Sequence, residues 1–576
     1  MCALDVPASE TAAAYLTRPW LRYYPEGVPP DVPVPEESIP QAFDEACARF
    51  GNRAAIVFYG RRMSYKELRQ RTDSLAAALV RLGVHKGDRI ALYLLNSPQF
   101  VISYFGALKA GAALTPISPV YTSIEVRHQL SDSGARFIIC QDLLYDNVEK
   151  ADVSLDHVVL TGIGDYLPAL KRVLGKSVLR SVYRDMHVPS PKILSRAGYH
   201  KFQELIADSP AAPPPLDIDP GKDLAALPYT GGTTGLPKGA LLTHRSLLAC
   251  CTQNRRFWPI FEDGKEVILA FLPFYHVYGQ VVVMLSGLLH GATLVVFTTP
   301  DVEAILDGVE AESATAFYGV PTLYEYLKDH EKTERVNWKR LKMITCGADT
   351  LHESTVKDWE RRTGTRIMEG YGLTETSSTS HCNPPGRSVR GSFGLPLPNM
   401  GAAIVDAETA DFLPVGEVGE LIVKGPNVMT GYWNKPEDTR EVFLESGGET
   451  WLRTGDLVQM DEEGYFHFFD RKKDLIKYKG YSVFARDVEE VLYRHPQVKA
   501  AGVIGVPDPK VGQYVKAVVV LQPEARGRVS EEEILKYCEQ NLAHYKVPKL
   551  LEFRGELPKT DVGKVSHREL REELED

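Results

Sequence analysis

The sequence lacks any cysteine spacing that is typical of metal or redox sites. Its eight cysteines are spread over 576 residues, and none lies in a CxxC motif. Because zinc sites and disulfide frameworks both need regularly spaced cysteines, neither is expected here. The sequence instead predicts reduced thiols in a cytosolic protein. The cysteines are Cys2, Cys47, Cys140, Cys250, Cys251, Cys346, Cys382 and Cys538.

An excess of basic residues is also absent. The chain has 66 Lys and Arg against 76 Asp and Glu, which gives a net charge of −10. A protein that binds the phosphate backbone of nucleic acid usually carries an excess of basic residues. The sequence therefore indicates no nucleic-acid partner. Hydrophobic residues make up 44% and charged residues 25%, as in an ordinary globular protein.

Long hydrophobic runs are missing. The opening "MCALDVPASE" has no basic region followed by an apolar run, so no signal peptide is expected. The most apolar stretch, "VVVMLSGLLHGATLVVF" from Val281 to Phe297, is short for a membrane span and is interrupted by two glycines and a histidine. We predict a buried helix followed by a strand in this stretch.

Short apolar runs alternate with helical patterns over most of the chain. Strand-like runs include "DRIALYLLN", "ATLVVF", "TAFYGV" and "KMITCG", and "SPQFVISYFGALKAG" has a helical pattern. This alternation predicts an α/β fold with layered sheets of mainly parallel strands. After about Gly394, short strands separated by Gly and Pro predict a small antiparallel barrel or sheet.

A charge cluster within "FFDRKKDLIKYKGYSV" marks a second boundary. About 100 residues follow it, near the usual size of a domain. They contain a helical pattern, "RDVEEVLYRHP", two strands, and Ser530 and Glu533 at the spacing of a capping box. We therefore predict a large N-terminal domain at 1–469 and a small α/β domain after it.

The stretch "LPYTGGTTGLPKGALLTH", from Leu227 to His244, has the composition of a phosphate-binding loop. Glycines let the backbone N–H groups approach phosphate oxygens, and Lys238 adds a positive charge. It is not the loop of P-loop nucleotide triphosphatases, because Lys238 lies between Pro237 and Gly239 rather than before Ser or Thr. Taken alone, such a loop is more often a surface turn.

Four further motifs accompany this loop. They are "GYGLTET" (370–376), "WLRTGDL" (451–457), "DRKKDLIKYKGYSV" (470–483) and "LPKTDVGKVSHREL" (557–570). In order and spacing, from about Tyr65 to the C-terminus, the chain resembles the acyl-adenylate-forming superfamily of acyl-CoA synthetases, 4-coumarate–CoA ligases, luciferases and peptide-synthetase adenylation domains. The resemblance implies that a carboxylate reacts with ATP to give acyl-AMP and pyrophosphate, and that coenzyme A then displaces AMP. It also implies Mg2+.

The resemblance gives a role to each motif residue that would bind ATP. Thr233 and Glu375 would hold Mg2+, which prefers oxygen ligands. Asp456 would accept the two ribose hydroxyls, since an ionised carboxylate only accepts hydrogen bonds. At Glu369 the plant ligases carry Gln instead. The full set for ATP is Thr230, Gly231, Gly232, Thr233, Thr234, Lys238, Glu369, Gly370, Tyr371, Thr374, Asp456 and Arg471.

Three further residues would act on the reacting groups or move the domains. Lys564 would bridge the carboxylate and the α-phosphate, where an ammonium group stabilises developing charge. His276 would lie beside the reacting carboxylate, although a lone histidine near aromatic residues is otherwise a core residue. Lys473 would be the hinge, at 470–473, about which a mobile C-terminal domain at 474–576 turns. The residues that would serve the coenzyme A step are Lys477, Lys479 and Gly480.

The acid-binding pocket is predicted to be apolar or aromatic. Its candidate residues are Tyr275, His276, Tyr278, Tyr318, Gly319, Val320 and Gly347. Because "PFYHVYG" contains no acidic residue that could pair with an amine, an amino-acid substrate is disfavoured. These side chains suit an aliphatic or aryl acid. The tryptophan that closes some fatty-acid tunnels is absent, and Tyr278 and Gln280 occupy the corresponding neighbourhood. Its absence leaves medium-chain and aryl acids open as substrates.

The segment 166–201 is longer than its counterpart in plant ligases, and it holds eight Lys and Arg against one acid. As a helix it would place Arg172, Lys176, Arg180 and Arg184 on one stripe opposite leucines and valines. Two interpretations stay open: contact with an anionic membrane, or a helix docked on the protein with its basic stripe in water. Similar extensions occur in long-chain acyl-CoA synthetases, which favours a long-chain fatty acid as substrate.

Alternatives from other classes also remain. They are a non-catalytic homologue that binds acyl groups or nucleotides, a luciferase-like oxygenase, and a ligase that loads a carrier-protein thiol. We expect a cytoplasmic protein with possible peripheral membrane contact. The oligomeric state is open, with a homodimer among the options.

Overall fold

The computed structural model describes residues 14–168, 191–209, 213, 215–230, 236–479, 481–560 and 565–574. It confirms the predicted α/β class: two large sheets and a smaller antiparallel sheet precede a separate small α/β unit. The strands, in chain order from β1 to β28, are Ala54–Phe58, Arg61–Ser64, Arg89–Tyr93, Ala113–Pro116, Phe137–Gln141, His157–Thr161, Tyr199–Lys201, Leu224–Ala226, Tyr229–Thr230, Lys238–Gly239, Leu242–Thr243, Val267–Ala270, Thr293–Val296, Ala316–Gly319, Met343–Cys346, Met368–Leu373, Ser378–Cys382, Leu395–Pro396, Gly401–Val405, Val418–Lys424, Phe443–Ser446, Glu449–Met460, Phe466–Arg471, Ile476–Tyr478, Tyr481–Val483, Val498–Asp508, Gly512–Leu521 and Leu550–Arg554.

The α-helices of the described residues are numbered in the same way. From α1 to α15 they are Ile39–Phe50, Tyr65–Arg81, Pro98–Lys109, Ser123–Ser133, Tyr145–Ala151, Phe202–Ala207, His244–Phe257, Ser286–Leu289, Val302–Ala311, Pro321–Asp329, Glu353–Thr363, Pro436–Val442, Ala485–Tyr493, Glu531–Asn541 and His567–Glu572. A π-helical segment, Tyr278–Leu285, runs directly into α8. Within the described ranges, no helix is both long and apolar enough to cross a membrane.

Two large sheets form the bulk of the molecule. The nine-stranded sheet has the order β18-β17-β16-β15-β14-β12-β13-β1-β2, and the seven-stranded sheet has the order β11-β8-β4-β3-β5-β6-β7. Most neighbouring strands are parallel, as the βα alternation predicts, with antiparallel pairs at both ends of the nine-stranded sheet and at the β11 end of the seven-stranded sheet. Every residue of α3 is buried, which fits its almost entirely apolar sequence. Its N-terminus is set by Ser97, whose hydroxyl accepts from the Phe100 N–H at 3.3 Å.

The apolar stretch from Val281 to Phe297 is a buried helical segment followed by strand β13, as predicted. Its side chains belong to the main hydrophobic core. Gly287 lets this segment pack closely on the sheet, because a Cβ there would lie 3.0 Å from Leu294 and 3.1 Å from Ile268. The same segment forms one wall of the cavity described below.

A five-stranded antiparallel sheet follows, with the order β19-β20-β22-β21 and with β23 paired to β22. In the β22–β23 pair, Asp456 lies directly opposite Arg471. A second five-stranded sheet, β25-β24-β27-β26 with β28 beside β27, has its own hydrophobic core. The boundaries at 469 and 474 stay predictions.

Candidate active site

One cavity of about 850 Å³ is lined by most of the predicted site residues. Its size is typical of a site for a small-molecule ligand. The predicted residues that line it are Thr230, Lys238, His276, Tyr278, Tyr318, Gly347, Glu369, Gly370, Tyr371, Thr374, Glu375, Asp456, Arg471 and Lys473. Six others lie outside the described residues: Gly231, Gly232, Thr233, Thr234, Gly480 and Lys564. The basic stripe at 172–184 also lies outside them.

Asp456 is held by residues from two strands of different sheets, β16 and β23. The Tyr371 hydroxyl donates to its Oδ2 at 2.6 Å, and the Arg471 guanidinium lies 3.6 Å from its Oδ1. Burial and the nearby carboxylate raise the pKa of Tyr371 well above its usual value, so this hydroxyl keeps the proton it donates. The Asp456 side chain is only 6% exposed. Its orientation is therefore fixed before any ligand arrives.

Glu375 receives a hydrogen bond that sequence reasoning missed. The Tyr432 hydroxyl donates to Glu375 Oε1 at 2.7 Å, across 57 positions of sequence. Burial raises the pKa of Glu375, and the Tyr432 hydrogen bond opposes that rise. Lys238, from the phosphate-binding loop, forms an ion pair with Asp438 and lies 5.5 Å from the centre of the Tyr432 ring. Tyr432 thus contacts both the predicted metal ligand and the predicted phosphate ligand.

The surroundings of Glu375 fit a magnesium ion that is held mainly by phosphate oxygens. Mg2+ usually takes one or two carboxylates and completes its shell with water and substrate phosphates. Glu375 supplies one partly buried carboxylate in the cavity. In the described ranges there is no group of three or more His, Cys, Asp or Glu that could hold a metal without a substrate. Thr233, the second predicted ligand, lies outside them.

His276 lines the same cavity as the nucleotide motifs and a group of apolar residues. Its Nδ1 accepts from the Tyr278 N–H at 3.3 Å, which leaves Nε2 as the N–H side of a neutral ring. The Tyr278 and Tyr318 rings meet edge to face at 6.3 Å. A Cβ at Gly347 would lie 3.2 Å from the Tyr278 ring, so glycine is needed for this close approach.

Three predicted pocket residues do not line the cavity. Tyr275 and Val320 pack against the main core, and Gly319 lies behind Gly347, whose N–H donates to the Gly319 carbonyl at 3.2 Å. A Cβ at Gly319 would meet the Tyr324 ring at 2.5 Å, so this glycine is required by packing. Lys477 and Lys479, predicted for the coenzyme A step, lie on β24 and directly after it and do not line the cavity either.

Glu369 connects the cavity to the small C-terminal unit. Its Oε2 accepts from the Leu351 N–H at 3.4 Å, and burial raises its pKa to about 7. Arg486 of α13 opposes this rise through its charge. Next to them, His352 Nδ1 lies 3.1 Å from Glu490 Oε1. Glu369 is therefore close to titrating at neutral pH, at the contact between the two units.

The predicted hinge lies on the edge of the cavity. Lys473 lines it, and burial together with the charge of Arg471 lowers the pKa of Lys473 to about 8. The next residue, Asp474, pairs with Arg571 of α15 at 2.6 Å. Its role as a hinge stays a prediction.

Such a fold and cavity define an adenylate-forming enzyme. The chain belongs to the AMP-binding enzyme family: the family model matches residues 43–433, and the model of the AMP-binding enzyme C-terminal domain matches residues 487–564.

Several characterised proteins are similar over nearly the whole chain. A long-chain-fatty-acid–CoA ligase of Bacillus subtilis is 38% identical over 96% of this chain and 98% of its own length. A feruloyl-CoA synthase of Amycolatopsis is 32% identical, with 91% and 96% covered. Among solved structures, ATP-bound MatB of Rhodopseudomonas palustris has a TM-score of 0.80 at 30% identity, covering 94% of this chain and 99% of its own.

Proposed function

We propose that this enzyme joins a long-chain fatty acid to coenzyme A through an acyl-AMP intermediate. The observation that carries the proposal is a single cavity that holds both the Asp456 and Glu375 groups and a channel of apolar residues. The channel residues are Ile268, Val282, Gly287, Ala292, Ala316 and Met343. The relatives named as long-chain-fatty-acid–CoA ligases support the same substrate class.

In the first step, a carboxylate oxygen attacks the α-phosphorus of ATP, and the bond to the β-phosphate oxygen breaks. Asp456 accepts the ribose hydroxyls while Tyr371 holds its carboxylate in place. Mg2+, held by Glu375 and Thr233, would neutralise phosphate charge as pyrophosphate leaves. Lys564 would stabilise the charge that develops at the α-phosphate.

In the second step, the sulfur of coenzyme A attacks the acyl carbonyl carbon, and the carbon–oxygen bond to AMP breaks. Turning about Lys473 would replace the Lys564 face of the C-terminal unit with the face of Lys477, Lys479 and Gly480. The basic segment at 166–201 would bring the enzyme to an anionic membrane, where long-chain acids partition.

The proposal is tested by measuring pyrophosphate and AMP release with acids of graded chain length, with and without coenzyme A. We expect pyrophosphate release that needs the acid, and full turnover to acyl-CoA with hexadecanoic acid. Absence of acid-dependent pyrophosphate release would leave only a binding homologue. Turnover that needs a carrier protein instead of coenzyme A would assign a different thiol.

A second candidate is an aryl acid. The edge-to-face pair of Tyr278 and Tyr318 at the entrance of the channel would suit an aromatic ring. The feruloyl-CoA synthase among the relatives favours the same class. A direct comparison of kcat/KM for ferulic and hexadecanoic acids decides between them, because the apolar channel beyond Tyr278 serves only the longer acid.

A further inference from the structure

The acyl part of the cavity changes character along its length. Beside His276 its walls are aromatic, and in its middle they are apolar. Its far end is polar, with residues from α7, the loop that follows α7, and the residue after α8. The polar residues there are Asn254, Arg255, Glu262, Glu266 and His290.

Strand β12 gives the direction and length of this channel. Glu266 immediately precedes the strand, and Phe271 follows it on the way to His276. The five residue steps from Glu266 to Phe271 correspond to about 17 Å of extended chain. The carboxyl group of a substrate at His276 would therefore place the end of an extended long chain near Glu266, whereas a short chain would stop in the apolar section.

Glu266 is a buried acceptor with unused capacity. Its Oε1 accepts from the Glu262 N–H at 2.8 Å and pairs with Lys342 Nζ at 2.7 Å. Its Oε2 is buried and has no hydrogen-bond partner among the described residues. The side chain of Glu266 is only 9% exposed, and that of neighbouring Glu262 is 54% exposed.

His290 adds a second acceptor. Its Nδ1 lies 2.8 Å from the Ser286 carbonyl, so Nδ1 must carry the ring proton, and Nε2 is left with its lone pair. Burial lowers the pKa of His290, which keeps the ring neutral. The cation at this end is already engaged, because Arg255 bonds Asp263 at 3.1 Å and the Phe261 carbonyl at 2.7 Å.

We propose that the far end of the channel binds a terminal hydroxyl, so that long-chain acids with a hydroxyl on the last carbon are substrates. A terminal hydroxyl can donate to Glu266 or His290, whereas a terminal methyl leaves these acceptors unpaired. A second carboxylate at that position would meet the charges of Glu262 and Glu266. The role presupposes the acyl activation proposed above.

The test compares kcat/KM of the wild-type enzyme for hexadecanoic acid, ω-hydroxyhexadecanoic acid and hexadecanedioic acid, by AMP release. We expect the hydroxy acid to equal or exceed hexadecanoic acid, and the diacid to fall below both. A lower value for the hydroxy acid than for hexadecanoic acid overturns the proposal. If none of the acids releases AMP, the proposed function itself fails, and the two failures are thereby distinguished.

A paired substitution locates the acceptor. Glu266→Leu combined with Lys342→Met removes both charges together, so that no unpaired buried charge remains. We expect the ratio of kcat/KM for the hydroxy acid over hexadecanoic acid to fall about tenfold, the size of one hydrogen bond to a charged group. Using a ratio within each variant cancels any general loss of activity.

The matched control is an exposed pair outside the cavity. Glu310→Leu with Arg340→Met removes an ion pair of 3.3 Å at the surface, and we expect its ratio to equal that of the wild type. An unchanged ratio in the Glu266 and Lys342 variant would overturn the assignment of Glu266 as the acceptor of the terminal hydroxyl.

Discussion

At the scale of single residues, Tyr432 is the contact that connects the predicted metal site to the phosphate-binding loop. Its hydroxyl donates to Glu375 at 2.7 Å, and Lys238 lies over its ring. A hydrogen bond to an ionised carboxylate favours the charged form, and only that form binds Mg2+ well.

For this reason we expect Tyr432→Phe to raise the Mg2+ concentration that gives half-maximal ATP–pyrophosphate exchange by about tenfold. Losing the donor raises the pKa of Glu375 further. As the pH is lowered, Glu375 is therefore protonated, and activity is lost, at a higher pH than in the wild type. The acid limb of the profile should therefore move to higher pH. Tyr326→Phe, at a tyrosine that is 65% exposed, is the control. A Mg2+ titration and pH profile identical to the wild type would remove Tyr432 from the metal site.

A second prediction for a single residue concerns Lys564 and the first chemical step, the formation of acyl-AMP. We expect Lys564→Ala to lower ATP–pyrophosphate exchange by about 10²–10³, because a charge-stabilising donor acts mainly in the transition state. Thioester formation from supplied acyl-AMP should continue, since that step does not break the α-phosphate bond to pyrophosphate. Near-normal exchange in the variant would contradict the assignment. Lys559→Ala, in the same motif, is the matched control.

At the scale of elements, local patterns were enough to predict strands and helices but not the contacts between distant ones. The runs "KMITCG" and "SPQFVISYFGALKAG" became β15 and α3, because each pattern follows from burial of its own neighbours. Glu375 and Lys238 were found through their motifs. Their partners Tyr432 and Asp438 lie 57 and 200 positions away, so no local spacing could indicate them. The polar channel end is likewise assembled from separate elements.

The basic segment at 166–201 is the element whose prediction concerns the membrane. Four stripe cations near an anionic surface would contribute about 1 kcal/mol each at low salt. Changing Arg172, Lys176, Arg180 and Arg184 to Gln should therefore weaken sedimentation with anionic liposomes. The wild type should detach as ionic strength rises past physiological, when the Debye length falls below about 8 Å.

A control for the loss of net charge is available outside the basic segment. Four exposed cations of the nine-stranded sheet region, Arg335, Lys339, Lys357 and Arg361, can be changed to Gln with the same loss of charge. We expect this variant to bind liposomes like the wild type. A wild type that fails to sediment with anionic liposomes at low salt would leave the stripe as a solvated helix face.

At the scale of the whole molecule, the cavity is lined by the large unit, and the small C-terminal unit contacts that unit close to the lining residue Glu369. Glu369 and His352 of the large unit face Arg486 and Glu490 of α13. Burial raises the pKa of Glu369 to about 7, whereas the pKa of Glu490 is lowered because His352 and Arg486 outweigh the effect of its burial. A contact of this kind can be broken and remade, as a two-step reaction with a turning domain requires.

Lys473 lies between β23 and β24, at the predicted hinge, and Lys473→Pro tests whether the two units turn there. Proline fixes φ near −65°, so the backbone at this position could no longer adopt two conformations. We expect acyl-AMP formation to persist and transfer to coenzyme A to slow sharply, which single-turnover assays of each half-reaction would measure. Lys473→Ala keeps the backbone free and should retain both steps, which separates the backbone from the charge of this side chain. Equal loss of both half-reactions in the proline variant would mean that Lys473 supports the cavity itself, consistent with its position in the lining, and that the units turn elsewhere or not at all.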